Sequence, residues 1–208
     1  MELKALKGRY DAIFSLGSNC SPAIQLQKNN LRPYAGVLDW MNSSSLEDVN
    51  NLLRNRFNGF MQRSNLTFEG IDAHHRNYVF KDHLYNINSV HDFPIRLNTP
   101  DNLVTYSEFR SKMDRRIRRF LEKISTCDHI LFVRAGKIDH AILDLHAILS
   151  SFVRHQFKLL LVEYTGVTGI VEHPCSLDNV TLLEMQGHDI WRQNDHLWKT
   201  VFDGISLD

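Results

Sequence analysis

Three nearly continuous apolar runs in the last third of the chain constrain its fold more than any other feature. They are His129-Ile130-Leu131-Phe132-Val133-Arg134, Phe157-Lys158-Leu159-Leu160-Leu161-Val162-Glu163 and Val180-Thr181-Leu182-Leu183-Glu184. Short runs without polar alternation suit strands buried on both faces, and such strands belong to parallel sheets covered by helices. Ile138, Ile142, Leu145, Leu149 and Phe152 mark a helix between the first two runs. A further run near the N-terminus, Asp11 to Leu16, adds a strand. The pattern predicts an α/β fold in which a mostly parallel central sheet carries helices on both faces, a three-layer sandwich. With 208 residues, 43% of them hydrophobic, the chain can bury one sizeable core and is short for two, so one domain over residues 1–208 is expected.

The middle of the chain is less regular. Leu31 to Trp40, with Pro33 and Gly36, reads as a loop entering a short strand or turn. Ser43-Ser44-Ser45 offers N-caps to a helix through Leu46, Val49, Leu52, Leu53 and Phe57. Residues 59–70 read as irregular, and Tyr78 to Val90 as one or two short strands, including one at Leu84 to Asn88. The strongest helical stripe is Tyr106, Phe109, Met113, Ile117, Phe120, Leu121 and Ile124. Arg115, Arg116, Arg118 and Arg119 on its polar side read as a solvated face before an anion-binding patch.

Lys plus Arg and Asp plus Glu are equal at 24 each, which removes any general electrostatic case for nucleic acid or an anionic membrane. Met1 to Lys7 lacks the apolar stretch of a signal peptide and no run reaches bilayer length. The expected protein is soluble and cytoplasmic, with export by a route needing no signal peptide left open. Cys20, Cys127 and Cys175 are odd in number and widely spaced, as reduced thiols would be. No Cys-x-x-Cys pair exists, and His74, His75, His83 and His91 lack the spacing of a helical metal pair, so neither metal nor cofactor is expected.

The chemistry concentrates where the first strand ends. Gly17-Ser18-Asn19-Cys20 follows it and Ser21 to Gln27 reads as a helix, so Cys20 stands at a helix N-terminus. The unpaired first-turn N–H groups and the positive end of the helix dipole are expected to lower the pKa of a thiol there, and the N–H groups near Asn19 and Cys20 to hold an oxyanion. The alternative is a buried space-filling cysteine. Open α/β sheets collect ligands at the carboxyl ends of their strands. Those ends deliver Ser15 to Cys20, His91 with Asp92, Arg134 with Ala135-Gly136, Glu163 with Tyr164, and Gln186-Gly187-His188. His91 is the first choice of base, with His188 and His196 as rivals. Asp92 and Asp39 are candidates to orient it, although strand neighbours such as His91 and Asp92 ordinarily point to opposite faces. Arg134 reads either as an ion-pair partner of Asp39, Asp92 or Asp139 or as a grip on a substrate carboxylate or phosphate. Trp191, Asp195, His196 and Trp198 read as a core edge or a cleft wall.

Ser15 to Cys20, Leu31-Arg32 with Leu38-Asp39-Trp40-Met41, His91-Asp92-Phe93, Arg115 to Phe120, and Phe132-Val133-Arg134 together resemble an uncharacterised bacterial family described as putative papain-like cysteine peptidases. The resemblance spans the chain to about residue 200. It implies a nucleophile at Cys20 and a histidine at His91, in the Cys-before-His order of papain-like enzymes. A papain-like α+β fold is the alternative to the α/β reading. Joined with the reading of the residues above, this makes Cys20, His91, Asp92 and Asp39 the catalytic candidates, and Asn19, Ser18, Arg134 and Trp40 the oxyanion or substrate contacts. The reaction expected is thiol-dependent acyl transfer, by a peptidase or amide or ester hydrolase acting on a peptide, acyl or glycan-linked substrate. Acyl transfer in the tailoring of surface polysaccharide is a second possibility. A non-catalytic effector or binding protein using the same cleft is the alternative from another class. A phosphate or nucleotide site at the first strand-to-helix turn lacks the glycine-rich loop it would need. The particular substrate and the oligomeric state are not legible in the sequence.

Overall fold

The four apolar runs pair with one another in a computed structural model that describes residues 1–191 and 194–208. Among the described residues the elements are β1 (Gly8–Tyr10), β2 (Ala12–Ser15), α1 (Ser21–Lys28), β3 (Met41–Asn42), α2 (Leu46–Arg54), β4 (Leu66–Ile71), β5 (Asn77–Asp82), β6 (Ile87–Pro94), α3 (Tyr106–Thr126), β7 (His129–Ala135), α4 (Ala141–Phe152), β8 (Gln156–Thr165), β9 (Ile170–His173), β10 (Val180–Gln186), α5 (Asp195–Phe202) and β11 (Ile205–Leu207). A five-stranded sheet has the order β2-β7-β8-β10-β9. Its β2, β7, β8 and β10 pair in parallel, and β9 runs antiparallel to β10.

Both faces of this sheet are buried because alternate side chains point to opposite sides. Ala12, Phe14, Phe132, Leu159 and Leu161 pack with Leu52 of α2, Phe120 of α3 and Leu145 of α4. Ile13, Leu131, Val133, Leu160, Val162 and Leu183 pack with Leu26 of α1 and with Trp198 and Phe202 of α5. That two-sided burial is why the strands read as unbroken apolar runs.

The expectation of one mostly parallel sheet is corrected. The five-stranded sheet is mixed, and a second sheet, antiparallel in the order β3-β6-β5-β4, stands beside it. Phe93 of β6 packs on Phe109 of α3 with ring centroids 4.8 Å apart, so this sheet closes the same core as α3. Edge strand β4 lies where the sequence read as irregular, because it exposes Thr67, Phe68 and Glu69 and carries no buried stripe. Leu84 to Asn86 form a turn rather than a strand. Asp82 Oδ1 accepts the N–H groups of Leu84 and Tyr85, and Asn86 takes a left-handed conformation with φ 55°. Among the described residues no helix is long and apolar enough to cross a membrane.

Candidate functional site

Beyond β2 the chain must leave the sheet and enter α1, and it turns sharply through Gly17 and Ser18, both at φ 73°. Gly17 is required there. A Cβ would stand 2.7 Å from Ser43 Oγ and 3.3 Å from the Leu38 carbonyl. Ser18 N–H donates to Ser43 Oγ at 3.2 Å, and Ser43 N–H donates back to the Ser18 carbonyl at 2.8 Å. Arg134 fastens the same turn from below. Its guanidinium is 1% exposed and donates to the carbonyls of Leu16 at 2.7 Å and Ser43 at 2.6 Å, with a longer contact to Ser44 at 3.5 Å. Arg134 therefore forms neither the ion pair expected with Asp39, Asp92 or Asp139 nor an open grip on a substrate. Two nitrogens of this buried guanidinium at the end of β7 are held by backbone carbonyls instead, its Nε–H has no acceptor among the described residues, and burial pulls its pKa down to about 10, still a full cation at neutral pH.

Cys20 then caps α1. Asn19 Oδ1 accepts the Ser21 N–H at 2.8 Å, and Ser21 Oγ is braced by Tyr164 Oη at 2.5 Å. The N–H groups of Asn19 and Cys20 donate to nothing among the described residues. The half-buried Ser18 side chain lies against Gly136.

The remaining site residues arrive through the antiparallel sheet. Met41 pairs with Ser89, which runs Asp39 and Trp40 alongside the next residues of β6. Across β5, Tyr78 pairs with Phe93 and Phe80 with Ser89, so Val79 alone stands against Val90, His91 and Asp92. The resulting bulge re-aims neighbouring side chains. It overturns the expectation that His91 and Asp92 point apart: both line one open cleft of about 400 Å³, with Trp40 and Arg116. It also corrects their expected position, which is the middle of β6 and not a strand end of the five-stranded sheet. The rings of Trp40 and His91 meet edge to face, centroids 6.2 Å apart.

Asp39 is buried, accepts the Gly36 N–H at 2.7 Å and pairs with Arg32 at 3.2 Å. Asp92 accepts from Ser89 Oγ at 2.6 Å. Burial raises both carboxyls, opposed by Gly36 and Arg32 at Asp39 and by Ser89 and Arg116 at Asp92. Cys20 is 6% exposed, and burial, with the charges of Asp39 and then Asp92, pushes its thiol up to about 11. The expected lowered pKa and open sulfur are thus both corrected. A helix end carries only about half a unit charge, and two carboxylates with desolvation outweigh it. Alkylation of Cys20 followed against pH is expected to inflect near 11 and to inflect lower in Asp92→Asn; an inflection at or below the free-thiol value of about 8.5 would refute this placement. By linkage, a raised thiol pKa adds stability that is complete below the free-thiol value and is lost as pH climbs toward 11.

Trp40, His91 and Asp92 thus share the cleft, while Cys20, with Asn19 beside it, does not line it but lies close enough to Asp39 and Asp92 to feel their charges. Among the described residues neither Cys20 Sγ nor the His91 ring makes a hydrogen bond. Neither rival histidine lines this cleft: His188 is exposed beyond β10, and His196 is exposed on α5. The start of α5 is tied to the later turns of α1 by Gln25 and Lys28 on Asp195, at 2.7 and 2.8 Å. Trp198 is fully buried in the second core and Trp191 is exposed, while Arg192 and Gln193 between them lie outside the described residues.

A family described as putative papain-like cysteine peptidase has a sequence model that matches residues 11–166, three quarters of the chain. The chain belongs to this family. The matched stretch contains every cleft residue named above and ends just past β8, leaving β9, β10 and α5 beyond it. An uncharacterized protein of Acanthamoeba polyphaga mimivirus is 28% identical over 138 residues, which cover 60% of this chain and 61% of that protein. The chain therefore matches less than two thirds of that relative's length. No solved structure matches it.

Arg116 lines the cleft and Arg32 backs it, and both belong to motif stretches of the sequence that give neither a site role. Arg32 lies across Trp40 at 5.1 Å from the ring centroid. The run Arg115 to Arg119 offered a charge pattern and part of the family resemblance, and nothing in it separates the cleft-facing arginine from the solvated ones.

Proposed function

We propose that this family member is a thiol-dependent acyl-transfer enzyme, a peptidase or an amide or ester hydrolase, with Cys20 as nucleophile and His91 as base. The observation that carries the reading is the bulge in β6. It turns an imidazole and a carboxylate into one cleft, and the charge of that carboxylate, Asp92, reaches the thiol at a helix N-terminus whose neighbouring N–H groups are unused. Attack forms the Sγ–carbonyl carbon bond as His91 takes the thiol proton. The carbonyl oxygen becomes an oxyanion facing the N–H groups of Asn19 and Cys20. His91 then gives its proton to the leaving amine or alcohol as that bond breaks, leaving a thioester on Cys20. Water, or another hydroxyl or amine acceptor, attacks the thioester with His91 again as base, which restores the thiol. The acceptor decides between hydrolysis and transfer, and the chemistry at Cys20 is common to both.

A protonated resting thiol suits this sequence. Asp92 disfavours the free thiolate but favours the imidazolium that forms as the proton moves, and a thiolate of high pKa is the stronger intrinsic nucleophile. The same raised pKa is the observation that favours the second reading, a binding protein whose thiol never ionises. Incubation with p-nitrophenyl acetate followed by peptide mass spectrometry separates them. An acetyl group is expected on Cys20 and absent from that position in Cys20→Ser. Acetylation no faster at Cys20 than at Cys127 and Cys175 would leave the binding protein standing.

A further inference from the structure

The cations of α3 are not one solvated face. Arg115 and Arg118 are exposed, whereas Arg116, Arg119 and Lys123 are half-buried on another side of the helix, at spacings that stack them in a column. Lys112 heads that column and is paired with Glu108 at 2.6 Å. Arg119 and Lys123 lie over the ring of Tyr34, at 4.3 and 5.9 Å from its centroid. Arg116 is different. It lines the cleft with Trp40, His91 and Asp92, yet makes no ion pair or hydrogen bond among the described residues. The nearby carboxylates have other partners, Asp39 in Arg32 and Gly36 and Asp92 in Ser89. Behind Trp40, the nine-tenths buried Arg32 keeps an Nε–H with no acceptor. A half-buried guanidinium holds five N–H donors in a planar fork matched to a carboxylate, and leaving them idle in a cleft wastes the desolvation they have already undergone.

We infer that the cleft takes an acidic peptide, with a carboxylate close to the reacting carbonyl, and that Arg116 is the specificity-determining residue that binds it. The inference rests on Cys20 as the reactive thiol. Trp40, with Arg32 stacked on it, supplies a flat wall for the planar amide, and the column through Arg119 and Lys123 extends a positive field away from the cleft along α3. Arg116 and Asp92 stand further apart than an ion pair, so a bound carboxylate can reach the guanidinium without displacing an existing partner.

Iodoacetate and iodoacetamide test this, because they are similar in size and differ in charge. Alkylation rates at Cys20, Cys127 and Cys175 are measured for both reagents at about pH 9, where a useful share of free thiol is ionised. The iodoacetate to iodoacetamide ratio at Cys20 is expected to exceed that at Cys175 by about tenfold and to shrink in high salt. In Arg116→Gln the ratio should fall to that of Cys175 or below, since Asp39 and Asp92 then repel the anion unopposed. Arg116→Lys should keep part of the preference, and Arg115→Gln, on the exposed side, all of it. A wild-type Cys20 ratio no higher than that of Cys175, or a ratio unmoved in Arg116→Gln, overturns the inference and leaves the thiol reading intact. A Cys20 inert to both reagents removes the thiol reading, and the inference with it.

Discussion

Arg134→Met is expected to destabilise the fold by about 2–4 kcal/mol, since the short bonds to the Leu16 and Ser43 carbonyls are lost and those acceptors stay buried. Methionine fills much of the volume, which limits any cavity, so the loss reports on the unsatisfied carbonyls. The same bonds tie the turn that presents Cys20 to the segment leading from Asp39 through β3. The variant should therefore also lose the charge selectivity of Cys20 while its remaining helices and strands stay formed. Urea unfolding by circular dichroism measures the first effect. A midpoint unchanged within experimental scatter would show that the cost of burying the guanidinium cancels its bonds.

His91→Gln should lower the rate of Cys20 acetylation by an activated ester by about 10²–10⁴-fold, the span over which general bases contribute. His91 is exposed and makes no hydrogen bond among the described residues, so the thermal midpoint should not move. Acetylation of Cys175 in the same sample gives the internal reference. A change of less than about twofold would remove His91 as the base, given that a positioned general base is worth far more. Asp92→Asn gives a complementary result. Removing that charge makes the thiol easier to ionise but withdraws the partner of the imidazolium, so alkylation should quicken while acetyl turnover slows.

Much of this molecule could be read along the chain because the relevant physics is local. The runs at β7, β8 and β10 are apolar at nearly every position since both faces are covered, and the stripe of α3 repeats because one side packs on Phe14 and Phe93. Gly17 and Cys20 stand out for the same reason: a strand that hands over to a helix needs a residue tolerant of positive φ, and whatever follows it must cap the helix. Edge strand β4 was invisible, because a strand held by one neighbour and open to solvent imposes no burial pattern.

The sequence by itself determined the apolar strands of the five-stranded sheet, the helix-capping position of Cys20 and the family to which the chain belongs, all of which depend on residues adjacent in the chain or on their periodicity. Tertiary structure alone decided that His91 and Asp92 share one cleft, that Arg134 is spent on backbone carbonyls and that the Cys20 thiol is pushed up to about 11. The first depends on a bulge register, the second on carbonyls brought from Leu16 and Ser43, and the third on burial and on the charges of Asp39 and Asp92, distant in sequence; fields between such groups are set by separation in space and by solvent exclusion.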